Sequence, residues 1–257
     1  MKMQEHNDTG SRKTANPWRW LLLLILVCSC GRASAQTVRP LIAELGNPAK
    51  GRVEYVNDSL TPLNVVLEPK SFTVAEDGQI AYRDLDPNVH LRLSVTSFRL
   101  LPQQSYYVFY EATTDASPAW FVIYAAFSGF PFKTQNGMSV RLELPHTVYL
   151  LPKHSLDKTD VVVNHAQFIP AEKKLVLEIE NTSANFGRVQ QTLVAFGRKK
   201  QEAPGFPVFP HSKRRMEIPL DADGAPSGVE LQFPNFKIEQ LTIEQSTIGQ
   251  PVPTQNP

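Results

Sequence analysis

Cysteine is nearly absent. The 257 residues hold two, Cys28 and Cys30, both inside the first 35. From Gln36 onward the chain therefore has no disulfide, no thiol nucleophile and no thiolate metal ligand. It must be held together by apolar cores alone, which is feasible at this size. Net charge is almost absent too, at +1, and gives no basis for a nucleic-acid partner. Phosphate-cradling glycine loops, Gly-x-Ser-x-Gly and His-Glu-x-x-His are all missing. His90, His146, His154, His165 and His211 stand singly rather than in ligand pairs, so no metal is expected. The acidic residues show no paired acid–base arrangement. These absences argue against an enzyme and against a cofactor; a hydrolase carrying an accessory sandwich is the remote exception. Two basic triplets, 198–200 and 213–215, have no interleaved aromatics and read as solvated turns.

The first 35 residues read as an export signal. Arg12, Lys13 and Arg19 precede an apolar run, Leu21 to Val27, that is too short to span a bilayer. The sequence Ala33-Ser34-Ala35 then places cleavage after Ala35. The rival reading takes Val27 to Cys30 as a lipoprotein site and leaves Cys30 lipid-anchored. Removing residues 1–35 takes away five basic and two acidic side chains, leaving the mature chain near −2.

Apolar residues make up 42% of the chain, enough for packed cores, and 21 prolines spread along it speak against a helical fold. Short runs with period-two alternation recur between turn clusters. The first region offers 51–57, 62–68, 90–97, 105–112, 119–127 and 138–144 as strands. Residues 119–127, "AWFVIYAAF", are apolar throughout and fit a central strand covered on both faces. The second region offers 160–170, 173–181, 188–197, 206–220, 228–234 and 236–244. The tail, 246–257, is polar and proline-rich and is expected to be disordered. The pattern predicts an all-β protein of two immunoglobulin-like β-sandwiches, residues 36–153 and 160–245.

Residues 138–152, "MSVRLELPHTVYLLP", form the most informative stretch. Met138, Val140, Leu142 and Leu144 alternate with polar residues until Pro145 interrupts. Proline does not belong in a central strand, and an exposed edge strand should not carry such an apolar row.

The order of motifs resembles the periplasmic pilus-assembly (fimbrial) chaperones. "GRVEYVNDSLTPLNVVLEP" resembles a strand ending in an asparagine turn. "LSVTSFRLLPQQSYYVFYEA" carries Leu101, Pro102 and Ser105 in the family's register. "SPAWFVIYAAF" and "MSVRLELPHTVYLLP" resemble the strands that follow, the latter ending in a proline at the hinge. In the second region, "KKLVLEIENTSANFGRVQQTLVAFG" and "FPVFPHSKRRMEIPL" resemble the corresponding strand–turn–strand segments.

The resemblance implies an L-shaped pair of sandwiches acting as a periplasmic chaperone without ATP. It implies binding of exported pilus-type subunits by donor-strand β-augmentation, with an outer-membrane usher as a second partner. Met138, Val140, Leu142 and Leu144 would then contact the client, unless they face the protein's own core. A self-dimer capping the exposed edge is a further expectation. The family's cationic pair for the client's terminal carboxylate is not matched: Thr147 stands at the lysine position, and the arginine position falls near Leu41. Arg39 and His146, beside Thr147, are the candidates for a rebuilt anchor. The alternative is a structural or adhesive envelope component that reuses the fold, lipid-anchored if Cys30 is modified.

Overall fold

The computed structural model describes residues 36–129, 141–222 and 224–245. Within these the chain is almost entirely β, arranged as two pairs of sheets. In the first region the strands are β1 (Gln36–Arg39), β2 (Ile42–Gly46), β3 (Ala49–Asn57), β4 (Leu63–Val74), β5 (Ile80–Asp84), β6 (Val89–Leu93), β7 (Ser97–Leu100), β8 (Gln104–Thr114), β9 (Ala119–Ser128) and β10 (Leu142–Leu151). One sheet runs β1-β3-β8-β6. The facing sheet runs β2-β10-β9-β4-β5, with β7 also paired to β4. The inward residues of the two sheets alternate with outward ones, as half-buried strands require. They close over Val53, Tyr55, Val108, Phe121, Ile123, Phe127, Val148 and Leu150.

In the second region the strands are β11 (Val161–Ile169), β12 (Lys174–Asn181), β13 (Gly187–Phe196), β14 (Lys199–Val208), β15 (Ser212–Pro219), β16 (Gly228–Gln232), β17 (Lys237–Gln240) and β18 (Glu244–Gln245). Their sheets run β15-β12-β11-β18 and β14-β13-β16-β17, around a separate core that includes Leu175, Leu177, Ile179, Val189 and Leu231.

The same turn closes a strand in each sandwich. Asn57 is buried at the end of β3. Its amide nitrogen donates to the carbonyls of Thr61 at 2.8 Å, Leu101 at 3.2 Å and Leu100 at 3.3 Å. Its oxygen accepts from the Ser59 amide and hydroxyl at 3.1 and 2.6 Å. At the end of β12, Asn181 donates to the Asn185 carbonyl at 2.7 Å and accepts twice from Ser183, at 3.0 Å. An Asn-x-Ser sequence makes this turn because the side-chain amide stands in for a missing backbone partner. The proline-containing turns before β8 and β15 also correspond, each with one non-glycine residue in the left-handed region: Gln103 at φ 56° and His211 at φ 48°.

Several elements differ from the sequence expectation. The stretch 206–220 is two strands, because a turn at Phe209–His211 divides it into the end of β14 and all of β15. β5 had no expected counterpart. Strand 138–144 does not stop at Pro145: pairing of β10 with β9 continues through Pro145, opposite Tyr124, to Leu150. The leader with both cysteines, the tail, Met138 and Val140 lie outside the described residues.

The two sandwiches share a third, aromatic cluster. Phe72, Val122 and Tyr149 from the first meet Phe186 and Phe209 from the second. Tyr149 stacks on Phe186, with centroids 4.6 Å apart and planes inclined by 23°. Trp120 lies 4.7 Å from Phe209 and donates its indole N–H to the Phe72 carbonyl at 2.7 Å. Polar links border the cluster. Arg188 and Glu44 pair at 3.3 Å, and the Arg215 amide donates to the Glu76 carbonyl at 2.7 Å.

Candidate functional site

β10 has two different edges along its length. On one side it pairs with β9 throughout. On the other, Thr147–Leu151 pairs in parallel with Ile42–Gly46 of β2, while Leu142–His146 has no partner strand among the described residues. The open half results from the path of the first two strands. β1 belongs to one sheet and β2 to the other, so the chain crosses the sandwich at Pro40–Leu41 and reaches β10 only at Thr147.

The Thr147 amide donates to the Leu41 carbonyl at 2.8 Å, so it points toward the β2 side. Backbone groups alternate direction along a strand, so those of Pro145 and Glu143 point the same way. Pro145 therefore removes no bond to β9. Its missing N–H falls on the open edge, where proline is tolerated. The open edge presents the Glu143 amide and carbonyl, then the Pro145 carbonyl.

Side chains alternate in the orthogonal direction. Leu142 and Leu144 are half-buried and pack against the first core. Arg141 and Glu143 face outward and form an ion-pair network: Arg141 meets Glu68 at 2.5 Å and Glu143 at 3.0 Å. The Arg141 hydrogen bond holds the Glu68 carboxyl below its ordinary range.

The crossing is fastened by His146, which is fully buried. Its Nδ1 lies 2.7 Å from the Pro40 carbonyl and its Nε2 lies 3.0 Å from the Tyr110 hydroxyl. A carbonyl only accepts, so Nδ1 carries the proton and Nε2 accepts from Tyr110. Burial pushes the His146 pKa down, against a smaller opposing effect of the Pro40 carbonyl, and pushes Tyr110 up to about 12. Tyr110 reaches His146 from the opposite sheet by lying over Gly51, its cross-strand neighbour, where an added Cβ would overlap the ring.

Arg39, His146 and Thr147 are not brought together. Arg39 is exposed on the outer face of the first sheet, opposite Glu54. Thr147 lies between inward-facing His146 and Val148, so it faces outward from the other sheet. There it lines a cavity of about 190 Å³ with Phe72, Tyr149 and Arg214. His146 is a neutral internal fastener with both nitrogens engaged, which corrects its placement as a cationic anchor. The cation nearest Thr147 in that cavity is Arg214, from β15, whose Nη1 donates to the Ala75 carbonyl at 3.0 Å. Sequence reading placed it in a solvated turn, and no local pattern relates positions so far apart.

No family model matches this chain, and no curated protein matches it in sequence. Solved structures do match. The SafB chaperone of Salmonella enterica, solved in complex with the SafA pilin, aligns at a TM-score of 0.53 and 10% identity, covering 83% of this chain and 99% of that one. The class 5 fimbriae chaperone CfaA aligns at 0.48 and 12% identity, over 80% and 98% of the two chains. CsuC of Acinetobacter baumannii, from a complex with the tip subunit CsuE, aligns at 0.47 and 15%, over 83% and 100%. The SafB match shows the fold. The chain has the two-sandwich architecture of a fimbrial chaperone, at a sequence distance that leaves function to be argued from the site.

Proposed function

We propose that the protein is a divergent fimbrial-type chaperone of the periplasm, exported by its leader, that captures a pilus-type subunit along the open half of β10. The observation that carries this reading is the split edge: on the side away from β9, Thr147–Leu151 is capped by β2, while Leu142–His146 has no partner strand there among the described residues. A client strand added there would bond the Glu143 amide and carbonyl and lie beside Leu142 and Leu144, with Met138 and Val140 upstream continuing the row. The reading needs no chemical step and no nucleotide. Backbone hydrogen bonds supply affinity, and side-chain pockets supply selectivity. An outer-membrane usher receiving the loaded subunit belongs to the same reading. A second copy pairing at this edge would block it.

The carboxylate anchor is the point of departure. Leu41 and Thr147 stand where the resemblance calls for two cations, and neither can form a charge-assisted bond to a carboxylate as a cation would. The client is therefore held mainly by the strand edge, with Arg214 as the cation at the near cavity.

Leu142 and Leu144 packing on the protein's own core favours the second reading, an envelope scaffold with no client. Purification from the periplasm separates the two. On the chaperone reading the wild type co-purifies with a β-rich exported subunit, and Leu142→Asp loses it while keeping the native circular dichroism spectrum. Wild type that purifies alone in cells expressing the subunit supports the scaffold.

A further inference from the structure

The outer face of the β1-β3-β8-β6 sheet is not used by the reading above. Its outward positions carry the cations Arg39, Lys50, Arg52 and Arg92 against two carboxylates, Glu54 and Glu111. Both carboxylates are engaged locally. Glu111 pairs with Lys50 at 2.9 Å, and Glu54 accepts from the Tyr107 hydroxyl at 3.0 Å. Among the cations lie two large aromatics, Tyr107, 47% exposed, and Phe109, 56% exposed. Arg52 sits 5.7 Å over the Tyr107 ring. Rings half in water beside arginines suit a membrane–water interface, where the ring enters the headgroup layer and the cation meets lipid phosphate.

The chain path points the same way. β1 begins at Gln36 on this sheet, in register with Asn57, and Asn57 is in register with Gln104. The loops following Asn57 and preceding Gln104 expose Leu60, 86% accessible, and Leu101. These leucines add exposed apolar side chains at the end of the sheet where β1 begins. We propose that the outer face of this sheet is a docking surface for an anionic lipid membrane.

The test uses the processed protein purified from cells, sedimented with vesicles of phosphatidylglycerol and phosphatidylcholine or of phosphatidylcholine alone. The wild type should pellet with the anionic vesicles only, and high salt should release it. Each basic residue near an anionic surface contributes about fivefold in partitioning. The double variant Arg52→Gln/Arg92→Gln should therefore bind about 30-fold more weakly. Phe109→Ser should weaken binding about tenfold through lost apolar contact. These positions are exposed, so thermal melting should be unchanged. The salt arm on wild type needs no variant. Equal binding to both vesicle types, or a double variant that binds as wild type, overturns the proposal. Binding to soluble dextran sulfate with none to vesicles also overturns it, since it assigns the face to an acidic polymer.

Discussion

Protonation of His146 should loosen the strand crossing. In the folded protein the ring is fully buried and neutral, donating to Pro40 and accepting from Tyr110. A second proton would turn Nε2 from acceptor to donor against a hydroxyl that is already pointing its hydrogen there. The folded pKa is depressed by burial. The contribution is therefore complete above the unfolded value of about 6.5 and is lost as pH falls below it, at up to about 1.4 kcal/mol per pH unit. His146→Phe removes this dependence. It also leaves the Pro40 carbonyl and the Tyr110 hydroxyl unpaired, at about 1–3 kcal/mol each, so at pH 7.5 it should be less stable by about 2–6 kcal/mol. The assay is urea unfolding of both proteins at pH 7.5, 6.5, 5.5 and 5.0. The gap between wild type and variant should narrow steadily below pH 6.5. A constant gap across the series refutes the assignment of His146 as a neutral fastener.

Other variants test neighbouring parts of the account. Gly51→Ala should displace the Tyr110 ring and cost about 1–3 kcal/mol as an overpacked site, measured by urea unfolding. Phe209→Ala, at the centre of the shared aromatic cluster, should cost about 3–5 kcal/mol. Glu44→Ala, from a partly exposed ion pair between the sandwiches, should cost no more than about 1 kcal/mol. The ratio of those two losses shows whether packing or charge joins the sandwiches. Asn181→Ala should leave several turn groups unpaired and lower stability by about 2–4 kcal/mol, visible as a lower denaturant midpoint.

Strands with one buried face were legible in the sequence because burial imposes a period of two. β12 is the clearest case, with Leu175, Leu177 and Ile179 alternating into the second core; β9 was legible for the opposite reason, as a continuous apolar run covered on both sides. β5 was not legible because it is five residues long and every one is exposed, and the alternation of Ile80 and Tyr82 alone is too short a pattern to read. β1 and β2 are short and separated by a proline, and their change of sheet is decided by pairing with distant strands. Pro145 looked like a break because a sequence does not tell which edge its nitrogen faces. The apolar row at Leu142 and Leu144 was found, but its partial burial against the first core was one of two expected outcomes. The Gly51–Tyr110–His146 stack joins three strands through side chains far apart in sequence. No spacing rule relates them, so His146 was assigned to charge chemistry that its burial removes.

Capture of a client strand at β10 is tested most directly by amide hydrogen exchange at single-residue resolution, on the protein alone and on its complex with a co-purified subunit. The Thr147 amide, already bonded to Leu41, should be protected in both states. The Glu143 amide, on the open edge, should exchange quickly in the free protein and become protected in the complex. A Glu143 amide that exchanges equally fast in both states contradicts the account, because the client would then be held somewhere other than this edge.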